Sequence, residues 1–216
     1  MSYKFDEKVA TPLCEIMGKY QSDKGHKNIQ KSWHNYTTLY YSIFKNMQAQ
    51  PLRIFELGLG TNNPNIPSNM GVNGKPGASL YGWREFFKNS KIYGADIDSK
   101  ILFKAERIQT FYCDQTHAHT VVNMWKHPDL TGVFDIIIDD GLHTFSANKC
   151  FFENSIHKLA PNGYYIIEDV TLGDIHHFEA VFQHWKATYP TLSFTLIRIP
   201  SIVNVNDNNV IVIKRA

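Results

Sequence analysis

The 216-residue chain holds only three cysteines, Cys14, Cys113 and Cys150, isolated from one another. No C-x-x-C and no H-x-x-x-H spacing brings ligands together, so the ten histidines do not assemble a zinc site. An odd number of dispersed thiols also gives no disulfide framework and fits a reducing compartment. Long apolar runs are missing too. No stretch reaches the roughly 18 residues of a membrane span, and the N-terminal segment carries Asp6, Glu7 and Lys8 where a leader needs an apolar core. A cytoplasmic protein without a membrane partner is expected. Strong charge of either sign is absent as well. With 22 Lys plus Arg against 20 Asp plus Glu, the net charge of +2 cannot supply the many phosphate contacts of nucleic-acid binding.

What is present is the material of a packed core, with 43% hydrophobic and 19% charged residues. The length suits one structural domain. Short apolar runs predict strands at Leu52–Leu59, Lys91–Ile97, Ile108–Cys113, Val133–Ile138, Tyr164–Ile167, Ser193–Ile199 and Asn209–Lys214. Apolar residues at spacings of three and four predict helices at Ser79–Asn89, Thr144–Leu159 and Asp174–Tyr189, and Pro161-Asn162-Gly163 reads as a turn. Residues 1–50, rich in Tyr36, Tyr40, Tyr41 and Phe44, read as a helical cap segment before a catalytic domain over 51–216. The Asn-, Pro- and Gly-rich stretch Gly60–Gly77 is a loop long enough to be a binding element. Alternating strands and helices followed by two directly joined strands imply an α/β three-layer sandwich. Its sheet would be Rossmann-like, mostly parallel and seven-stranded, with a C-terminal antiparallel hairpin.

Ligands of open parallel sheets bind beyond the carboxyl ends of the strands. At that edge the sequence places Glu56-Leu57-Gly58-Leu59-Gly60, then Asp96, Asp114, Asp139 with Asp140, and Glu168 with Asp169. Any one of these is an ordinary polar strand end. Gathered on one edge they repel unless a ligand or cation compensates. A glycine turn followed by an acidic residue suits a nucleoside, whose ribose hydroxyls donate to the carboxylate. Asn63 stands where a third glycine of G-x-G-x-x-G would fall. That weakens a dinucleotide pyrophosphate site and favours S-adenosylmethionine, which has no phosphate to cradle.

From about Tyr20 to Asp169 the sequence resembles the class I S-adenosylmethionine-dependent methyltransferases. More narrowly it resembles the metal-dependent macrolide-sugar O-methyltransferases of mycinamicin and macrocin type and the cephalosporin-hydroxylase group. The resemblance rests on Ser22-Asp23-Lys24-Gly25, Phe55 to Gly60, Gly77-Ala78-Ser79-Leu80 with Trp83, Gly94 to Asp98, Asp114-Gln115, Ile138 to His143 and Ile167-Glu168-Asp169. It implies that Glu56, Gly58 and Gly60 hold the methionine part of the cofactor, Asp96 the ribose, and Asp114 with Gln115 the adenine side. Asp139 is assigned to the same cofactor pocket, and Ser22–Gly25 to its closure. Asp140, Glu168 and Asp169 match that family's magnesium ligands, and His143 its general base.

The chemistry is consistent with that assignment. Three carboxylates are a hard oxygen set suited to Mg²⁺, and His143, three residues past Asp140 and just beyond the strand end, stands where a histidine could take a proton near neutral pH. The expected activity is Mg²⁺-dependent O-methylation of a sugar or diol-bearing small molecule in a glycan or natural-product pathway. An NAD-dependent oxidoreductase using the same glycine loop, or a non-catalytic cofactor-binding module, are the alternatives. A homo-oligomer is compatible with the sequence. His117, His119, His176 and His177 read as surface residues, the last two close enough to Asp169 in sequence to line an acceptor pocket. Tyr36, Tyr40 and Tyr41 read as core.

Overall fold

The computed structural model describes residues 3–216; the first two residues of the cap segment and of the stretch read for a leader lie outside it. Two helices come first, α1 (Pro12–Tyr20) and α2 (Tyr36–Phe44). Thr11 caps α1 by accepting the Cys14 N–H, Pro12 opens it, and Gln21 closes it in the left-handed conformation. Then follow β1 (Arg53–Leu57), α3 (Ala78–Phe86), β2 (Lys91–Asp96), β3 (Lys104–Ala105), β4 (Ile108–Tyr112) and α4 (Ala118–Trp125). The chain ends with β5 (Phe134–Asp139), α5 (Phe145–Ser155), β6 (Leu159–Ile167), α6 (Ile175–Thr188), β7 (Leu192–Arg198) and β8 (Asn209–Arg215).

The strands form one sheet in the order β3-β4-β2-β1-β5-β6-β8-β7. Strands β4, β2, β1, β5 and β6 run parallel, while β3, β8 and β7 pair antiparallel. This is the expected three-layer, mostly parallel sheet with a terminal hairpin. An eighth strand is added by β3, whose two residues are too few to show as an apolar run. Strand order reverses at β1, which lies between β2 and β5. The crevice for ligands opens at that switch point.

Two departures from expectation have local causes. β6 starts at Leu159, because Pro161-Asn162-Gly163 stays within the strand where the β5–β6 register slips between Phe134 and Ile136. Asn162 takes up the slip with a positive φ of 58°. Helix α4 went unpredicted: only Val121, Met124 and Trp125 of its eight residues are buried, too short a stripe to stand out.

Alternation along the strands divides the core in two. Ile54, Ile136, Ile138, Ile166 and Val212 face α1, α2 and α3, packing with Met17, Tyr40, Phe44 and Trp83. Phe55, Leu57, Ile137, Ile167 and Ile211 face α4, α5 and α6, packing with Trp125, Phe152, Phe178 and Trp185. α1 crosses α3 so closely that a Cβ on Gly82 would stand 2.3 Å from Met17 Sδ. Cys14 and Cys113 are buried and Cys150 partly so, all as free thiols. Among the described residues no helix is long and apolar enough to cross a membrane.

Candidate functional site

Beyond the carboxyl ends of β1, β2, β4 and β5 lies a cavity of about 750 Å³. Its floor is the turn after β1. Gly58 has φ 91°, and a Cβ there would meet the Asp140 carbonyl oxygen at 1.8 Å; on Gly141 it would meet Gln115 Oε1 at 1.7 Å. Only glycine at 58 lets the two backbones approach so closely, and glycine at 141 leaves room for the Gln115 amide. Asp96 lines the cavity and accepts the Leu59 N–H (2.7 Å) and the Asp98 N–H (2.8 Å), which ties its carboxylate to the glycine turn. Burial raises its carboxyl above the ordinary range. Gly60, Asp114 and Gln115 also line the cavity, and Gln115 Oε1 accepts the Leu142 N–H at 2.7 Å.

The Gly60–Gly77 loop forms another wall through Ile66, Asn69, Met70 and Lys75. It is braced internally by Met70 N–H to Thr61 O (2.9 Å) and Asn62 Nδ2 to Gly74 O (3.0 Å), and Ser68 Oγ donates across the opening to Leu142 O (3.2 Å). It is an ordered wall of the site. His176 and His177 do not line the cavity; both are exposed, with His177 stacked on Phe145. His117 and His119 are likewise exposed.

The pleat sorts the carboxylates. Asp139 follows the parity of Ile137, points toward α5 and is fully buried. There it accepts from Asn148 Nδ2 (3.0 Å) and Gln115 Nε2 (3.1 Å), and burial pushes its carboxyl up to about 6. It stands behind the cavity and braces Gln115, where the sequence reading placed it in the pocket itself. Glu56, Asp140 and Glu168 follow the parity of Ile54, Ile138 and Ile166, toward α1–α3. Glu56 is fully buried, accepting from Ser79 Oγ and from Trp83 Nε1 (2.5 Å). Glu168, also fully buried, accepts from Tyr40 Oη and Lys24 Nζ, and burial raises its carboxyl well above the usual range. Lys24 Nζ donates to Asp140 as well and lies 3.8 Å from Glu56 Oε1. Burial opposes its charge, but the Asp140, Glu168 and Glu56 carboxylates hold its pKa well above the ordinary value.

At the cavity wall Asp140, His143 and Asp169 come together. His143 Nε2 lies 3.3 Å from Asp140 Oδ1 and 3.1 Å from Asp169 Oδ2. One ligand atom from each of the three lies within 4.8 Å of the others, close enough to share one cation. Burial opposes protonation of His143, yet the Asp169 and Asp140 carboxylates raise its pKa to about 10. The other oxygen of Asp169 accepts from Tyr36 Oη (2.5 Å) and faces His34 Nε2 at 3.3 Å. His143 and Asp169 have φ of 55° and 52°. Left-handed backbone in such residues costs about 1–3 kcal/mol each and clusters at functional sites.

Sequence reading brought Asp140, Asp169 and His143 to one place, and the structure gathers them. Glu168 instead turns to Lys24 and Tyr40. Sequence reading had not singled out His34, Tyr36, Tyr40 and Asp207 as site residues, the last lining the cavity and accepting from Tyr36 Oη through its carbonyl (3.0 Å), and Lys24 only as part of a turn. Tyr36 and Tyr40 are core by burial, as expected, yet one helical turn apart they aim both hydroxyls at carboxylates.

No protein-family model matches the chain. Over 159 residues it is 32% identical to the 8-demethyl-8-(2-methoxy-alpha-L-rhamnosyl)-tetracenomycin-C 3'-O-methyltransferase of Streptomyces olivaceus, covering 73% of this chain and 36% of that protein. It is 31% identical to the demethylmacrocin O-methyltransferase of Streptomyces fradiae over the same shares of the two chains. The chain thus spans about a third of the length of these curated relatives. Among solved structures, the MycE methyltransferase of the mycinamycin biosynthetic pathway, in complex with Mg, SAH and mycinamycin VI, superposes with a TM-score of 0.69 at 22% identity. That match covers 97% of this chain and 56% of the other. The O-methyltransferase from Bacillus cereus in complex with SAH gives 0.54 at 14% identity over 81% of this chain and 77% of the other. The chain resembles the macrolide-type sugar O-methyltransferases in sequence and has the class I S-adenosylmethionine-dependent methyltransferase fold.

Proposed function

We propose that the chain is an S-adenosylmethionine- and Mg²⁺-dependent O-methyltransferase acting on a hydroxyl of a sugar or diol-bearing small molecule. The observation that carries this reading is the union, at one cavity, of a glycine turn tied to Asp96 with the Asp140–His143–Asp169 group. Gly58 and Gly60 admit the cofactor backbone-close, Asp96 receives the ribose hydroxyls, and Asp114 with Gln115 borders the adenine. Glu56 supports this wall from behind through Ser79, which lines the cavity. The sugar acceptor is supported by the relative named as the O-methyltransferase of a rhamnosyl-bearing tetracenomycin.

The donor set fits a hard divalent cation: Asp140 and Asp169 supply oxygens at the cavity, and Glu168 stands next to them on the parity of Asp140. When bound, the ion lowers the pKa of an acceptor hydroxyl. His143, with its side chain 26% exposed, is the group placed to take that proton. Tyr36 and His34 fix the orientation of Asp169, and through it the face His143 presents. The cap segment 1–50 supplies Lys24, His34, Tyr36 and Tyr40, so it works as part of one catalytic unit with 51–216.

Calorimetric titration with S-adenosylhomocysteine tests the donor site. The wild type binds, and Asp96→Ala weakens binding by about 10-fold or more, the worth of hydrogen bonds to a charged acceptor. An equal affinity in the two proteins removes Asp96 from the cofactor site. Tight NADH binding in place of S-adenosylhomocysteine turns the reading to the oxidoreductase.

A further inference from the structure

Glu56, Asp140 and Glu168, which share one face of the sheet, converge on a single side chain. Lys24 is 2% exposed, and its ammonium donates to Asp140 and Glu168 with Glu56 at 3.8 Å. Its backbone is held: Thr37 N–H donates to Lys24 O (3.2 Å), His34 N–H to Asp23 O (3.1 Å), and a Cβ on Gly25 would strike Thr37 Oγ1 at 1.9 Å. The turn is therefore fixed and the butylammonium arm is the movable part. Lys24 is itself among the residues that line the cavity. Two of the carboxylates it neutralises, Asp140 and Glu168, belong to the set proposed for the divalent cation, and a cation binding them both would meet the ammonium as a like charge.

We propose that Lys24 is a tethered cation that competes with the divalent metal for Asp140 and Glu168, so that full coordination by Asp140, Glu168 and Asp169 requires the ammonium to leave Glu168. In this role Lys24 is a positioning residue: it keeps the carboxylates assembled before metal arrives and sets how tightly the metal is held. The inference rests on the metal-dependent reading above.

Two readouts independent of turnover test it. Calorimetric titration with Mn²⁺ should show Lys24→Gln binding the ion at least about tenfold more tightly than wild type, a difference of about 1.4 kcal/mol. Equal or weaker binding in the variant overturns the competition and leaves the metal reading standing. Should Lys24→Gln fail to fold, the wild type answers alone. Acetylation of Lys24, mapped by peptide mass spectrometry, should be slow in metal-free protein and several-fold faster at saturating Mn²⁺, with the exposed Lys88 as a constant reference. Labelling of Lys24 that Mn²⁺ leaves unchanged also overturns the proposal. Absence of Mn²⁺ binding to both proteins removes the metal reading itself, and this inference with it.

Discussion

His143→Ala is expected to lower turnover by about 10²–10⁴-fold, the usual worth of a positioned general base, while S-adenosylhomocysteine affinity stays within a few-fold of wild type. The expectation follows from position. His143 lies at the cavity wall against Asp140 and Asp169 and makes no hydrogen bond to the glycine turn or to Asp96. Facing two carboxylates it holds its proton tightly, with a pKa near 10. For His143 to serve as the proposed base, those carboxylates would have to be engaged by another positive charge. Steady-state rates under saturating cofactor check this, and a variant retaining more than about a tenth of wild-type turnover takes the base role away from His143.

Glu168→Ala is expected to destabilise the fold by up to about 3–5 kcal/mol, the cost of breaking a buried ionic contact, because the buried Lys24 ammonium is left with only Asp140 and the more distant Glu56 as counter-charges. Lys24 would lose a principal partner in a site of 2% exposure, and the Tyr40 hydroxyl its only acceptor among the described residues. For a chain of this size the melting temperature should fall by roughly 6–20 °C. Adding Lys24→Met should recover part of the loss, since the two residues are in contact and their effects are not additive. A single variant melting within about 2 °C of wild type contradicts the buried pair.

The parallel sheet was legible because its apolar runs end in glycine or acid, as Leu57-Gly58 and Ile138-Asp139-Asp140 do. The division of labour between Asp139 and Asp140 was present in the same letters. Ile136 and Ile138 face one layer and Ile137 the other, so consecutive aspartates must part. One becomes a buried brace and the other faces the cavity. Lys24, Tyr36 and Tyr40 were not legible as partners of Asp140, Asp169 and Glu168, because their contacts span 116 to 144 residues of sequence and depend on how residues 3–44 dock on the sheet. Nothing local distinguishes a core tyrosine from one whose hydroxyl ends on a carboxylate. β3 and α4 escaped for the opposite reason, being short elements held by tertiary pairing more than by their own pattern.

In the proposed function one cavity brings a methyl donor and a hydroxyl together beside Asp140, Glu168 and Asp169, the residues that would hold the metal. The most direct test is incubation with S-adenosylmethionine, Mg²⁺ and a panel of rhamnosides and other diol-bearing glycosides, followed by mass spectrometry of the acceptors. One methyl group should be gained on an acceptor, and EDTA should abolish that gain while S-adenosylhomocysteine binding, measured in parallel, is unchanged. Methyl transfer that persists in EDTA would contradict that function, as would cofactor binding that disappears together with the metal.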